Sequence, residues 1–158
     1  MLELKKTVIR TSAAIFLTVA GISSAYASPV MTINCDEPNG QRTDFYAGEL
    51  EESDDGFVGV KPKIIFDDKK PQLATVLFEP AGIVEKLGLK STSSFKIMVQ
   101  TTEQITITAS TDKNITQMYT FFPKQGIGYF TLHAYNTSIR DGEASTVTLI
   151  AKCKFGAK

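Results

Sequence analysis

The sequence predicts an all-β protein: a single antiparallel β-barrel of about eight strands, lipocalin-like and up-and-down in connection. Three observations lead there. Turn-forming clusters recur about every ten residues between short β-branched and aromatic runs. The second half of the chain alternates apolar and polar side chains with period two. Cys35 and Cys153 lie near the two ends of the domain, 118 positions apart; a bond between them makes the first and last strands neighbours, and a sheet whose ends meet closes most simply into a ring. Alternation alone does not fix strand order, so a β-sandwich is the alternative architecture.

Residues 1–27 read as a cleaved export signal. Lys5, Lys6 and Arg10 form a basic start, an apolar stretch runs from about Ala13 to Ala20, and Ala25-Tyr26-Ala27 supplies the small residues that signal peptidase accepts. Thr18, Gly21 and Ser23-Ser24 interrupt the apolar stretch before it reaches the ~20 residues needed to span a bilayer. Residues 28–158 are then one domain in the periplasm or secreted beyond it. In such an oxidising compartment a Cys35–Cys153 disulfide is expected.

The full chain is formally neutral; removing the signal leaves 14 basic and 16 acidic residues, a charge of −2. A domain so weakly acidic has no general attraction for nucleic acid or anionic lipid, and no stable membrane insertion is expected once the signal is gone. With two cysteines and one histidine, no metal site or cofactor is expected.

Strands are expected near 30–36, 43–49, 57–66, 73–79, 93–100, 103–110, 114–122, 126–135 and 145–155. Turns separate them at Pro38-Asn39-Gly40, Ser53-Asp54-Asp55-Gly56, Asp67–Pro71, Thr101–Glu103, Asp112–Asn114, Pro123–Gly126 and Arg140–Gly142. Pro62 implies that 57–66 is two short strands or an edge with a bulge. Phe95, Ile97 and Val99 are expected to share one face, as are Ile105, Ile107 and Ala109, and Val147, Leu149, Ala151, Cys153 and Phe155. One short helix is expected near 81–88, where Ile83, Val84 and Leu87 recur at helical spacing behind Pro80.

Candidate chemistry is sparse. His133, between Leu132 and Ala134, has no G-x-S-x-G or comparable nucleophile motif to serve, and no catalytic residues are expected. Glu49, Glu51, Glu52, Asp54 and Asp55 do not match the calcium-loop spacing and read as a solvated hairpin tip. The informative segment is Asn114–Tyr135. A loop at Pro123–Gly126 would set Phe122 opposite Ile127, Phe121 opposite Gly128, Thr120 opposite Tyr129, Met118 opposite Thr131 and Thr116 opposite His133. One face then carries Ile115, Tyr119, Phe121, Phe130 and Leu132 and is core. The other carries Met118, Phe122, Ile127, Tyr129, His133 and Tyr135, which is too aromatic for an ordinary wet face. Loops cover it, or it meets a ligand or partner. Met118, Phe122, Tyr129, His133 and Tyr135 are the candidate binding residues.

In the same segment Asn114-Ile-Thr-Gln-Met-Tyr119, Phe122-Pro-Lys-Gln-Gly126 and Gly128-Tyr-Phe-Thr-Leu-His133, with Ala151-Lys-Cys153, resemble a group of small exported proteobacterial proteins of unknown function. The resemblance implies export and a shared fold and carries over no catalytic residue. A more distant similarity is to periplasmic inhibitors of C-type lysozyme, small exported barrels with a structural disulfide; their S-G-x-x-Y-like element is absent from this chain. The expected function is therefore that of an exported, non-catalytic binding protein of the bacterial envelope, taking a small apolar ligand or an envelope protein. Inhibition of a cell-wall hydrolase is the alternative.

Overall fold

The computed structural model describes residues 31–81, 90–111, 114–137 and 140–157. The export signal expected at 1–27 lies outside the described residues, as does all but the first residue of the helix expected near 81–88. Among the described residues there are ten strands: β1 (Met31–Cys35), β2 (Asn39–Tyr46), β3 (Glu49–Gly56), β4 (Lys61–Phe66), β5 (Leu73–Glu79), β6 (Thr92–Gln100), β7 (Ile105–Thr111), β8 (Ile115–Phe122), β9 (Ile127–Thr137) and β10 (Arg140–Ala157). Eight of them, β1 and β4 to β10, form a closed antiparallel barrel in chain order, sealed by pairing of β1 with β10. The hairpin β2–β3 stands outside the ring.

The long last strand makes this arrangement possible. On one side β10 pairs with β9 through residues 144–152. On its other side it serves two partners in succession: β1, from Met31↔Ala157 to Cys35↔Cys153, and then β2, from Asn39↔Ile150 to Phe45↔Ala144. Strands β1 and β2 are thus one path along β10, interrupted at Asp36–Pro38. The hairpin leaves the ring there and returns through Phe57–Val60 into β4.

Cys35 and Cys153 are bonded, with Cα atoms 4.0 Å apart. Cys153 N–H donates to Gly126 O (2.7 Å), on the side away from β1. The two cysteines therefore form a non-hydrogen-bonded pair across the ladder, the position where opposed Cα atoms come closest. Such a bond belongs to an oxidising, non-cytosolic compartment.

Apolar alternation explains the ring. Ile33, Ile64, Val76, Phe95, Ile107, Tyr119, Phe121, Phe130 and Leu149 all point inward and are buried, while their Thr, Ser and Lys neighbours face out. Ile105, Ile107 and Ala109 share the inner face as expected, and so does the row from Val147 to Phe155. Val99 does not: a register shift between Ile97 and Val99 turns it to solvent, because a bulge adds one residue and reverses the facing of the residues beyond it. Gly128 lies opposite Phe121, and a Cβ there would stand 2.8 Å from the Phe121 ring and 3.0 Å from Cys153 Sγ. The ring and the disulfide occupy the space that any larger residue would need.

Several boundaries differ from the sequence reading: Asn39 and Gly40 already belong to β2, and Arg140–Gly142, expected as a turn, open the long strand β10. The Ser53–Gly56 turn is not a turn: these residues lie in β3, and the chain reverses at Ala47-Gly48, whose φ values are 53° and 90°. A two-residue reversal with both φ positive matches strand twist, but alanine is a rare occupant and hides the signal. Pro62 makes neither a second strand nor a bulge. It sits where pairing with β1 has stopped at Asn34↔Lys63, while pairing with β5 continues through Pro62↔Phe78.

Candidate binding surface

The barrel interior is packed with rings. Phe95 lies 4.8 Å from Tyr119 between centroids, Tyr119 lies 4.9 Å from Phe130, and Phe130 meets Phe121 edge-on at 5.7 Å. Phe78, on the same inner face, meets Phe57 from the root of the hairpin at 5.7 Å. The Tyr119 hydroxyl donates to Gln117 Oε1 (3.2 Å). Burial pushes its phenol well above the ordinary value, since the phenolate would lose its water. Side chains fill the centre, as an eight-stranded ring permits.

The outer wall is more varied. The β8–β9 hairpin has the expected register: Phe122↔Ile127, Phe121↔Gly128, Thr120↔Tyr129, Met118↔Thr131 and Thr116↔His133. Tyr119, Phe121 and Phe130 are buried and Leu132 packs against the core. The candidate binding residues are on the opposite, outward face, where they do not form one cluster. Phe122 and Tyr129 meet edge-to-face at 6.0 Å near the Pro123–Gly126 turn and half-bury each other. Met118 is exposed among Thr108 and Thr131, its neighbours across the ladders. His133 is exposed and its Nδ1 shares a 3.3 Å hydrogen bond with Thr146 Oγ1 across the β9–β10 ladder. Tyr135 is at the far end of β9 and 57 % exposed.

Tyr135 belongs to a row that the sequence reading missed. It pairs with Ala144, Ala144 pairs with Phe45, and Phe45 pairs with Leu50. Residues directly opposite in a ladder share a face, so these four form one line across β9, β10, β2 and β3. Three inter-strand spacings make it about 14 Å long. Phe45 is 47 % exposed and Leu50 70 %. His133, Thr146, Thr43 and Glu52 make the adjacent row by the same pairings. The signal for Phe45 and Leu50 is present as Phe45-Tyr46-Ala47-Gly48-Glu49-Leu50, but it is legible only once the turn is placed at 47–48.

The hairpin carries six carboxylates and a single cation, Arg42. Arg42 Nε lies 3.6 Å from both Asp44 and Asp55, which leaves Glu49, Glu51, Glu52 and Asp54 in a field of net negative charge. At the root of the hairpin is an open concavity of about 460 Å³, with Glu37, Asp54 and Asp55 arranged around Pro38, Phe57 and Val58. Glu37 Oε2 accepts from Gly59 N–H (3.0 Å), which ties the root to the β3–β4 turn.

Comparison with protein-family models, curated proteins and solved structures found no match. The class this geometry defines is a disulfide-closed, side-chain-filled eight-stranded barrel that carries a projecting acidic hairpin.

Proposed function

We propose that the protein is an exported, non-catalytic binding protein of the bacterial envelope, periplasmic or secreted, and that it engages another envelope protein through the outer face of the hairpin. The observation that carries this reading is the apolar row Tyr135–Ala144–Phe45–Leu50, which runs from the barrel wall onto the hairpin, where Phe45 and Leu50 are exposed on an element that the barrel does not need for closure. Enclosure of a small apolar ligand is the weaker of the two expected modes, because aromatic side chains occupy the volume such a ligand would take. Interfaces of this kind rely on a few large side chains that lose water together.

The test is a double variant, Phe45→Ser with Leu50→Ser, tagged and expressed in the native compartment beside the unaltered protein. Chemical cross-linking should yield a discrete complex with the unaltered protein that the variant loses. An undiminished complex with the variant would reject the reading. A second form of it has its own observation: Ala47-Gly48, flanked by Tyr46 and Glu49, makes a narrow tip suited to entering an enzyme cleft. The partner would then be a cell-wall hydrolase, and inhibition assays on such enzymes would detect it.

A further inference from the structure

We infer that β3 recruits a basic, extended segment of another protein as an added strand. The inference rests on the reading of the hairpin as the contact element and specifies the chemistry of what it contacts. The register decides which backbone groups are available. Phe57 N–H donates to Pro38 O (2.9 Å), and pairing continues without a shift from Asn39↔Gly56 to Tyr46↔Glu49. Backbone groups of alternate residues point to opposite sides of a strand. Asp55, Ser53, Glu51 and Glu49 therefore face β2, and Gly56, Asp54, Glu52 and Leu50 face away. Gly56 N–H is taken by Asp55 Oδ1 (2.7 Å). That leaves Leu50, Glu52 and Asp54 presenting N–H and C=O groups to an edge that, among the described residues, no other strand covers.

Sheet edges are normally blunted by charged side chains, most often lysine, by proline or by a bulge; β3 has no lysine, proline or bulge over its eight residues, and its charge is all of one sign. It has five carboxylates instead, Glu52 and Asp54 on one face and Glu49, Glu51 and Asp55 on the other. A second copy's β3 would set carboxylate against carboxylate, which is destabilising across a ladder. A strand bearing lysine or arginine meets an opposite charge on either face. The concavity at the root supplies a place for one such side chain: Pro38, Phe57 and Val58 for its methylene stem, and Glu37 and Asp54 for its charged head. Main-chain hydrogen bonds along an edge, with side-chain pockets reading the sequence, are an established mode of peptide capture.

The experiment uses the full mature chain and an eight-residue peptide alternating lysine and threonine, blocked at both ends. Residue-resolved amide exchange by NMR should show Leu50, Glu52 and Asp54 slowed by about tenfold or more at saturating peptide, with the effect removed by high salt. A peptide of the same charge that is N-methylated at every residue has no amide N–H to offer the edge and should give no protection. Glu52→Pro removes an outward N–H without touching the β2 ladder and should abolish the effect. Absence of protection with the unmodified peptide would overturn the inference. Equal binding of the N-methylated peptide would also overturn it, by showing charge attraction without strand addition. Neither arm alters the Phe45 or Leu50 side chain, which the double variant above replaces, so its outcome is separable from loss of the complex in that variant.

Discussion

Reducing the Cys35–Cys153 bond should cost this domain a large share of its stability. The bond closes a loop of 118 positions, and in the chain-entropy treatment such a loop restricts the unfolded chain by about 4–5 kcal/mol at 25 °C. Unfolding entropy of about 2.1 cal/mol/K per residue, over the 131 residues that follow the expected signal, gives about 0.27 kcal/mol/K and hence a fall in Tm of about 15–18 °C. The five β1–β10 backbone pairs remain possible in the reduced chain, so the native fold and its far-ultraviolet spectrum should survive at room temperature. The assay is thermal and urea denaturation followed by circular dichroism, with and without reductant, repeated on Cys35→Ala/Cys153→Ala. The two routes should agree in direction and roughly in size. A fall in Tm under about 3 °C on full reduction would refute the reasoning, since the unfolded chain would then not be feeling the cross-link.

Other consequences concern the core and the exposed row. Gly128→Ala should destabilise by about 1–3 kcal/mol, because its methyl group meets the Phe121 ring and the disulfide sulfur; urea midpoints measure it. Tyr119 makes the fold sensitive to alkali. Its phenol stays protonated in the folded state, so its contribution is complete below the ordinary value of about 10 and falls by about 1.4 kcal/mol per pH unit above it, as the unfolded chain releases the proton first. Tyr119→Phe should flatten the decline between pH 10 and 11 in denaturation curves, at a cost near neutrality of about 1 kcal/mol for the lost bond to Gln117. Phe45→Ser and Leu50→Ser, both on the exposed row, should each change stability by no more than about 0.5 kcal/mol while removing partner binding.

The ring is legible in the sequence because its signals are local or covalent. Period-two alternation places Ile105, Ile107, Val147 and Leu149 inward. Pro123–Gly126 sets the β8–β9 register residue by residue, and the cysteine spacing joins the ends. The hairpin is not legible. Its strands are polar on both faces, so alternation says little about them, and its reversal at Ala47-Gly48 uses an alanine where sequence reasoning looks for Asn, Asp or Gly. The binding surface is only half visible for the same reason. Tyr135 can be picked out on β9, but Phe45 and Leu50 are linked to it through long-range pairing with β10, which no local pattern records. The other candidates share the outward face in the sequence pattern, yet the length of β9 separates Phe122 and Tyr129 at one end from Tyr135 at the other.

The most direct measurement places a photo-reactive amino acid at Leu50 in one strain and at Met118 in another, both exposed and on the outward face, and illuminates living cells in which the protein occupies its own compartment. If recognition belongs to the hairpin, the probe at 50 gives a discrete protein adduct and the probe at 118 gives none. Adducts from 118 alone would contradict that and return the contact to the barrel wall.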